Sequence, residues 1–244
     1  MWSGPHPDGR TAVAVRAGPH VGEDGLVTVD PSPTVRMADL RRAYAEHGLA
    51  ESDLAPTWLG QFHRWFADAE AAGVAEPNAM VFATASPAAQ PSLRTVLCKG
   101  VDQRGFTLYT NLGSRKGRDA LANPQASLLF PWHPLERQVI VGGTVERVDP
   151  AEADAYWVSR PYGSRLGAAA SPQGQVIASR RVLEDERERL AREYPDDIPR
   201  PEGWGGLRVR PDTVEFWQGR ADRLHDRLSF RRDGDDWVVD RLAP

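Results

Sequence analysis

From Pro77 onward the apolar residues of this chain stop recurring every three or four positions and begin to come in short alternating runs. A two-residue period sends successive side chains to opposite faces of a strand, and many such runs between turn residues must pair with one another in a sheet. The runs fall at 79–84, 92–99, 106–110, 126–132, 138–147, 213–218, 228–232 and 237–242. Asp102-Gln103-Arg104-Gly105 and Asp233-Gly234 link neighbours as hairpin turns. These runs, with short links and interrupting helices, predict a mainly β fold: a small antiparallel, Greek-key barrel with peripheral helices.

The helices are read from the other period. Segment 38–44 sets Leu40 and Tyr44 on one face with Arg41 beside them, and 55–72 carries a stripe of Trp58, Leu59, Phe62, Trp65 and Phe66 closed by Gly73. Ser114 caps a helix over 115–121 that Asn123-Pro124 ends. Asp149-Pro150-Ala151-Glu152 opens another, which puts Tyr156 and Arg160 on one face and stops before Pro161. Residues 161–178 show no periodicity and are expected as a loop; 181–194 reads as a charged, exposed helix. Residues 1–36 are rich in Gly, Pro and Asp and are expected as a disordered leader, with one domain over 37–244.

Composition narrows the setting. Apolar residues are 41% and charged residues 26%, ordinary for a soluble globular protein, and the net charge of -4 argues against bulk attraction to nucleic acid. The single cysteine, Cys98, excludes an intramolecular disulfide and fits a reducing compartment. No apolar run has the length of a membrane span, and the N-terminus lacks a secretory pattern, so the cytoplasm is expected.

Lysine usage marks one stretch. Only Lys99 and Lys116 occur in the chain, while arginine supplies every other basic side chain. A compact ammonium suits a point contact to a phosphate oxygen, and both lysines lie among Arg94, Tyr109, Thr110, Ser114 and Arg115. Two further clusters mix cations with other donors: Tyr156/Arg160/Ser164, and Arg223/His225/Arg227. Each alone reads as a solvated face or surface ion pair. Together they match the needs of two phosphate-bearing ligands, cations for charge and hydroxyls for direction. The six histidines have no HxxxH or HExxH spacing, so no metal ligand set is expected. No GxSxG elbow is present either, which leaves chemistry borne by a cofactor.

The motifs RTVLCK (94–99), YTNLGSRK (109–116), FPWHPLERQV (130–139), SRP (159–161), GWGG (203–206), EFWQG (215–219) and RLHDR (223–227) resemble those of the pyridoxine/pyridoxamine 5'-phosphate oxidase family, in the same order. The resemblance runs from about Ala38 to Pro244. It implies an FMN-binding split β-barrel homodimer with FMN at the interface. Such an enzyme oxidises pyridoxamine or pyridoxine 5'-phosphate to pyridoxal 5'-phosphate, with O2 as acceptor and H2O2 as product. By motif, the flavin contacts would be Arg94, Thr95, Val96, Leu97, Cys98, Lys99, Tyr109, Thr110, Arg115, Lys116, Gln138, Gln173, Gly174, Trp217 and Arg227. The substrate phosphate would meet Lys99, Tyr156, Arg160 and Ser164, with Arg223, Leu224 and His225 at the pyridine end. Arg223 and His225 would be catalytic, and Arg41 and Tyr44 would belong to a closing segment. Cys98, Ala169 and Gly174 stand where the family usually has an aliphatic residue, a bulky aromatic and a serine.

Three rival readings meet the same residues. A split-barrel flavin reductase with a nicotinamide donor has no need of the second phosphate grip. A non-enzymatic FMN or pyridoxal phosphate carrier would bind without turnover. Nucleic-acid binding through the arginines is disfavoured by the acids interleaved among them.

Overall fold

The computed structural model describes residues 48–244. The leader expected over 1–36 and the helix expected over 38–44, with Arg41 and Tyr44, lie outside the described residues.

Helix α1 (Trp58–Ala71) begins where the Thr57 hydroxyl accepts from Gly60 N, and ends at Gly73 with φ +68°. Its apolar stripe is driven into the barrel. Phe62 meets Phe106 and Phe130 edge-on at 5.1 and 5.0 Å, and Trp65 meets Phe216 at 5.2 Å. Each of these rings is 2% exposed or less, a burial of roughly 2–3 kcal/mol apiece.

Among the described residues nine antiparallel strands form one sheet: β1 (Ala79–Ala85), β2 (Pro91–Leu97), β3 (Gly100–Asp102), β4 (Gly105–Asn111), β5 (Gln125–Trp132), β6 (Arg137–Arg147), β7 (Trp204–Gln218), β8 (Asp226–Asp233) and β9 (Asp236–Arg241). Their order is β2-β1-β5-β6-β7-β4-β3, with β8 and β9 added along β7. The two ends of that order meet at Cys98 and Lys99. Cys98 N donates to Asn78 O, on the β1 side, and Lys99 N donates to Thr107 O of β4. The chain thus crosses from one end of the sheet to the other within two residues, and the sheet curls into a barrel.

β7 is the longest strand. β6 lines one edge from Leu207 to Gln218, while the other edge pairs with β4 over its first part and with β8 over its last. Its first part corrects the sequence reading, which began the strand at 213. Residues 204–209 are all buried, so the alternation that would have revealed them is absent.

Around the barrel lie α2 (Arg115–Ala122), α3 (Pro150–Ser159), α4 (Tyr162–Ala170) and α5 (Arg180–Glu193). Helix α4 is the second correction, because it occupies half of the expected loop. Tyr162, Leu166 and Ala170 recur four apart and pack with Trp157, Leu190 and Ile198 into a small satellite core. Two glycines and three alanines had masked that stripe. No helix among the described residues is long and apolar enough to cross a membrane.

Candidate functional site

The strand end of β2, the neighbouring β4, the N-terminus of α2 and the C-terminus of α3 enclose a cavity of about 520 Å³. That volume lies in the usual range for a small-molecule site. From β2 come Thr95, Val96 and Leu97, with Lys99 just beyond; from β4 come Tyr109 and Thr110. Lys116 enters from α2, Tyr156 from α3, and Arg160, Ser164 and Gln173 from the segments that follow. Both lysines of the chain therefore face one space.

At one end, α2 is capped by Ser114, whose hydroxyl accepts from Gly117 N and from Lys116 Nζ. Gln173 Oε1 accepts from Lys116 Nζ at 2.8 Å and from Thr110 Oγ1 at 3.1 Å. An amide oxygen sits here where two donors and a helix N-terminus converge, the place an anionic oxygen would take. Burial, and then the Arg94 charge, hold the Lys116 amine below its ordinary pKa. Beside it Gly174 has φ +84°, a conformation that favours glycine and explains its presence at this position.

At the other end, three rings lie nearly parallel. Tyr109 stacks on Tyr156, and both are within 9° of the plane of Trp204. The Arg160 guanidinium lies 5.0 Å from the Trp204 ring and 5.2 Å from Trp157. Its Nη2 donates to Ser164 O, while its buried Nη1 has no hydrogen-bond partner. Such an atom is costly unless something anionic meets it. Burial lowers the proton affinity of Arg160 and raises the pKa of both tyrosines.

Some expected residues turn elsewhere. Arg94 donates to Phe82 O, Thr84 Oγ1 and Ser92 Oγ rather than lining the cavity. Cys98 is buried, its thiol pushed up to about 11 by burial. Arg115 is exposed, 3.7 Å from the buried Asp119, and does not line the cavity. Gln138, Trp217 and Arg227 form a row across β6, β7 and β8, away from the cavity. Arg227 is held by a two-pronged pair with Glu215, and His225 Nδ1 accepts from Arg220 N. Arg223 and Leu224 are exposed in the turn before β8. Trp204 and Trp217 are thirteen positions apart on β7, at most roughly 40 Å of extended strand, and Trp217 does not line the cavity that Trp204 walls.

Trp204 is a site residue to which the sequence reading gave no role. It is buried and also walls the cavity, and its position in GWGG was the available signal. Among the described residues no group of His, Cys, Asp and Glu is placed to hold a metal.

An antiparallel split barrel with a phosphate-suited cavity beside the N-terminus of α2 is the class that this architecture defines. Comparison with known proteins agrees. Residues 66–192 match the family model described as pyridoxamine 5'-phosphate oxidase, and residues 204–244 match the pyridoxine 5'-phosphate oxidase C-terminal dimerisation region. The chain belongs to the pyridoxine/pyridoxamine 5'-phosphate oxidase family. A pyridoxine/pyridoxamine 5'-phosphate oxidase of Salinispora arenicola is 58% identical over 86% of this chain and 97% of its own. The same-named protein of Burkholderia lata is 51% identical over 85% and 99%. Among solved structures, PhzG from Burkholderia lata 383, in complex with tetrahydrophenazine-1-carboxylic acid, gives a TM-score of 0.77 at 31% identity, covering 82% of this chain and 99% of its own. A pyridoxamine 5'-phosphate oxidase-related, FMN-binding protein of Nostoc punctiforme shares the fold, with a TM-score of 0.63 at 19% identity over 79% and 99%.

Proposed function

We propose that the chain is an FMN-dependent oxidase that converts pyridoxamine 5'-phosphate and pyridoxine 5'-phosphate to pyridoxal 5'-phosphate as a homodimer. The observation that carries this reading is that Arg160, whose buried Nη1 has no hydrogen-bond partner, lines with Tyr156, Ser164 and Lys99 the same cavity as the Lys116 cradle. Two anion sites in one cavity suit a phosphorylated cofactor and a phosphorylated substrate. The comparison within Burkholderia lata supports vitamin B6 chemistry, because identity is 51% to its pyridoxine/pyridoxamine oxidase and 31% to its PhzG.

The donor set fits FMN. Lys116, Thr110 and the first turn of α2 would hold its phosphate, with Gln173 exchanging its present partners for the ligand. Thr95, Val96 and Leu97 would lie along the ring. When bound, FMN supplies the two-electron acceptor, taking hydride from C4' of the substrate and passing the electrons to O2 as H2O2.

The chain's own groups bind and orient. Arg160, Tyr156, Ser164 and Lys99 would grip the substrate phosphate and so fix the distance of C4' from the flavin. Arg223 and His225 would meet the pyridine end from the second subunit, together with Gln138, Trp217 and Arg227 on the flavin. They lie in or against the region matched to dimerisation, and none of them lines the cavity of its own chain.

The test is to purify the protein, look for flavin colour, and assay peroxide with pyridoxamine 5'-phosphate and O2. Peroxide formed in step with pyridoxal 5'-phosphate is expected. A protein that cannot be reconstituted with FMN would refute every flavoenzyme reading. Colour without turnover would favour a carrier, and turnover only with a nicotinamide donor or a tetrahydrophenazine carboxylate would move the substrate elsewhere.

A further inference from the structure

One face of α3 and one face of β7 pair off residue by residue, in opposite directions. On the helix the face is Glu152, Tyr156 and Arg160, four apart, so each step rises about 6 Å. On the strand it is Arg208, Gly206 and Trp204, two apart, so each step is about 6.6 Å. The steps nearly match; contact is direct at the two ends and runs through Tyr109 of β4 in the middle.

Arg208 Nη2 donates to Glu152 Oε1 at 2.7 Å. Tyr156 covers Tyr109, the cross-strand partner of Gly206, at 4.0 Å between ring centroids. Arg160 lies over Trp204.

Two of these contacts are ring faces, and a ring face resists sliding weakly. The third is directional. Arg208 is 4% exposed and its guanidinium is engaged on three sides, by Thr107 Oγ1 of β4, Glu146 Oε1 of β6 and Glu152 of α3. Arg104 adds a second cation to Glu152 at 3.3 Å. The other polar ties of α3, Asp154 to Arg200 and Trp157 Nε1 to Ile198 O, run to the segment before β7, and its remaining contact on β7 is another ring face, Trp157 against Trp204 at 4.7 Å. Neither Arg208 nor Glu152 lines the cavity.

We propose that Arg208 and Glu152 are positioning residues: they lock the register of α3 on β7 and thereby place the Arg160 guanidinium for the substrate phosphate. The proposal rests on the reading of Arg160 given above. Without the pair, α3 can shift along its aromatic contacts, and a displacement of about 1 Å at the grip is enough to weaken it substantially.

The experiment uses the FMN-loaded protein, titrated calorimetrically with inorganic phosphate, alongside steady-state kinetics with pyridoxamine 5'-phosphate. Arg160→Ala reports on the reading itself and should abolish phosphate binding. Glu152→Ala leaves Arg208 its Glu146 and Thr107 partners and so keeps the fold, which a thermal melt checks. It should weaken phosphate binding and raise KM by about tenfold, with kcat and FMN affinity within about twofold of native. Glu152→Gln keeps an acceptor for Arg208 and should restore most of the loss. Arg208→Lys, which keeps charge but not the fork, should reproduce it. Native phosphate affinity in Glu152→Ala would overturn the proposal, as would a joint loss of FMN, kcat and phosphate binding. If Arg160→Ala binds phosphate like the native protein, the reading of the cavity fails, and the proposal with it.

Discussion

Tyr109 of β4 and Tyr156 of α3 lie face to face, with ring centroids 4.0 Å apart and planes 12° from parallel. Gly206 makes room for this pair. A Cβ there would stand 2.9 Å from Tyr109 Cε1 and 2.7 Å from Val148 Cβ. Gly206→Ala is therefore expected to push Tyr109 into the cavity and cost about 1–3 kcal/mol of stability. Thermal melts and a substrate titration check it: the KM for pyridoxamine 5'-phosphate should rise more than FMN affinity falls.

Lys116 gives a pH signature. Burial and Arg94 hold its amine below 10.5, so in the folded protein it loses its proton earlier than an ordinary lysine. Its lowered pKa means that the unfolded chain binds more protons in that window, so this group's contribution to stability rises with pH. Phosphate binding runs the other way, because the cation is lost. Affinity for FMN should fall at alkaline pH, by at most about tenfold per unit for one proton, while affinity for riboflavin stays flat. Lys116→Met should remove the difference, and fluorescence titrations of both flavins would read it.

The thiol of Cys98 should be inert. Burial raises its pKa from 9.0 to about 11, so iodoacetamide at pH 8 should label it only after unfolding. Between those values the unfolded chain releases a proton that the folded protein keeps. The stability from this group is thus intact below pH 9 and lost as pH rises toward 11, by roughly 3 kcal/mol. Urea unfolding at pH 8 and pH 10.5 measures the difference.

Asp222 and Arg223 both adopt positive φ, +55° and +63°, in the turn that carries the expected catalytic side chain. Two adjacent non-glycine residues in that region store strain of about 1 kcal/mol or more, a recurrent mark of functional turns. Arg223→Gly should melt no lower than the native protein yet lose most turnover while retaining the yellow flavin. Near-normal oxidation by that variant would remove Arg223 from the mechanism.

How much of this was legible beforehand follows from what each signal measures. Caps and turns at Gly73, Ser114, Asp149 and Gly105 are local chemistry, and the element ends they mark lie where expected. The start of β7 was hidden because both its faces are buried, and α4 because small residues carry its stripe. Motif order led to the cavity, since Lys99, Lys116, Tyr156 and Arg160 converge there. Sequence could not show that Arg94 would spend its guanidinium on Phe82, Thr84 and Ser92, nor that Arg208 would meet Glu152. Those depend on strand register across 12 and 56 positions of chain.

The length of β7 has a consequence for inheritance. With Lys116 at one end of the fold and Arg223 at the other, a subunit crippled in one half still carries the other half intact. Inactive Lys116→Met and Arg223→Leu chains, mixed and allowed to exchange subunits, should form hybrids with one sound site in two. Random pairing makes half the dimers hybrid, so about a quarter of native activity should return. Two loss-of-function alleles of this gene would then complement each other within a single polypeptide species.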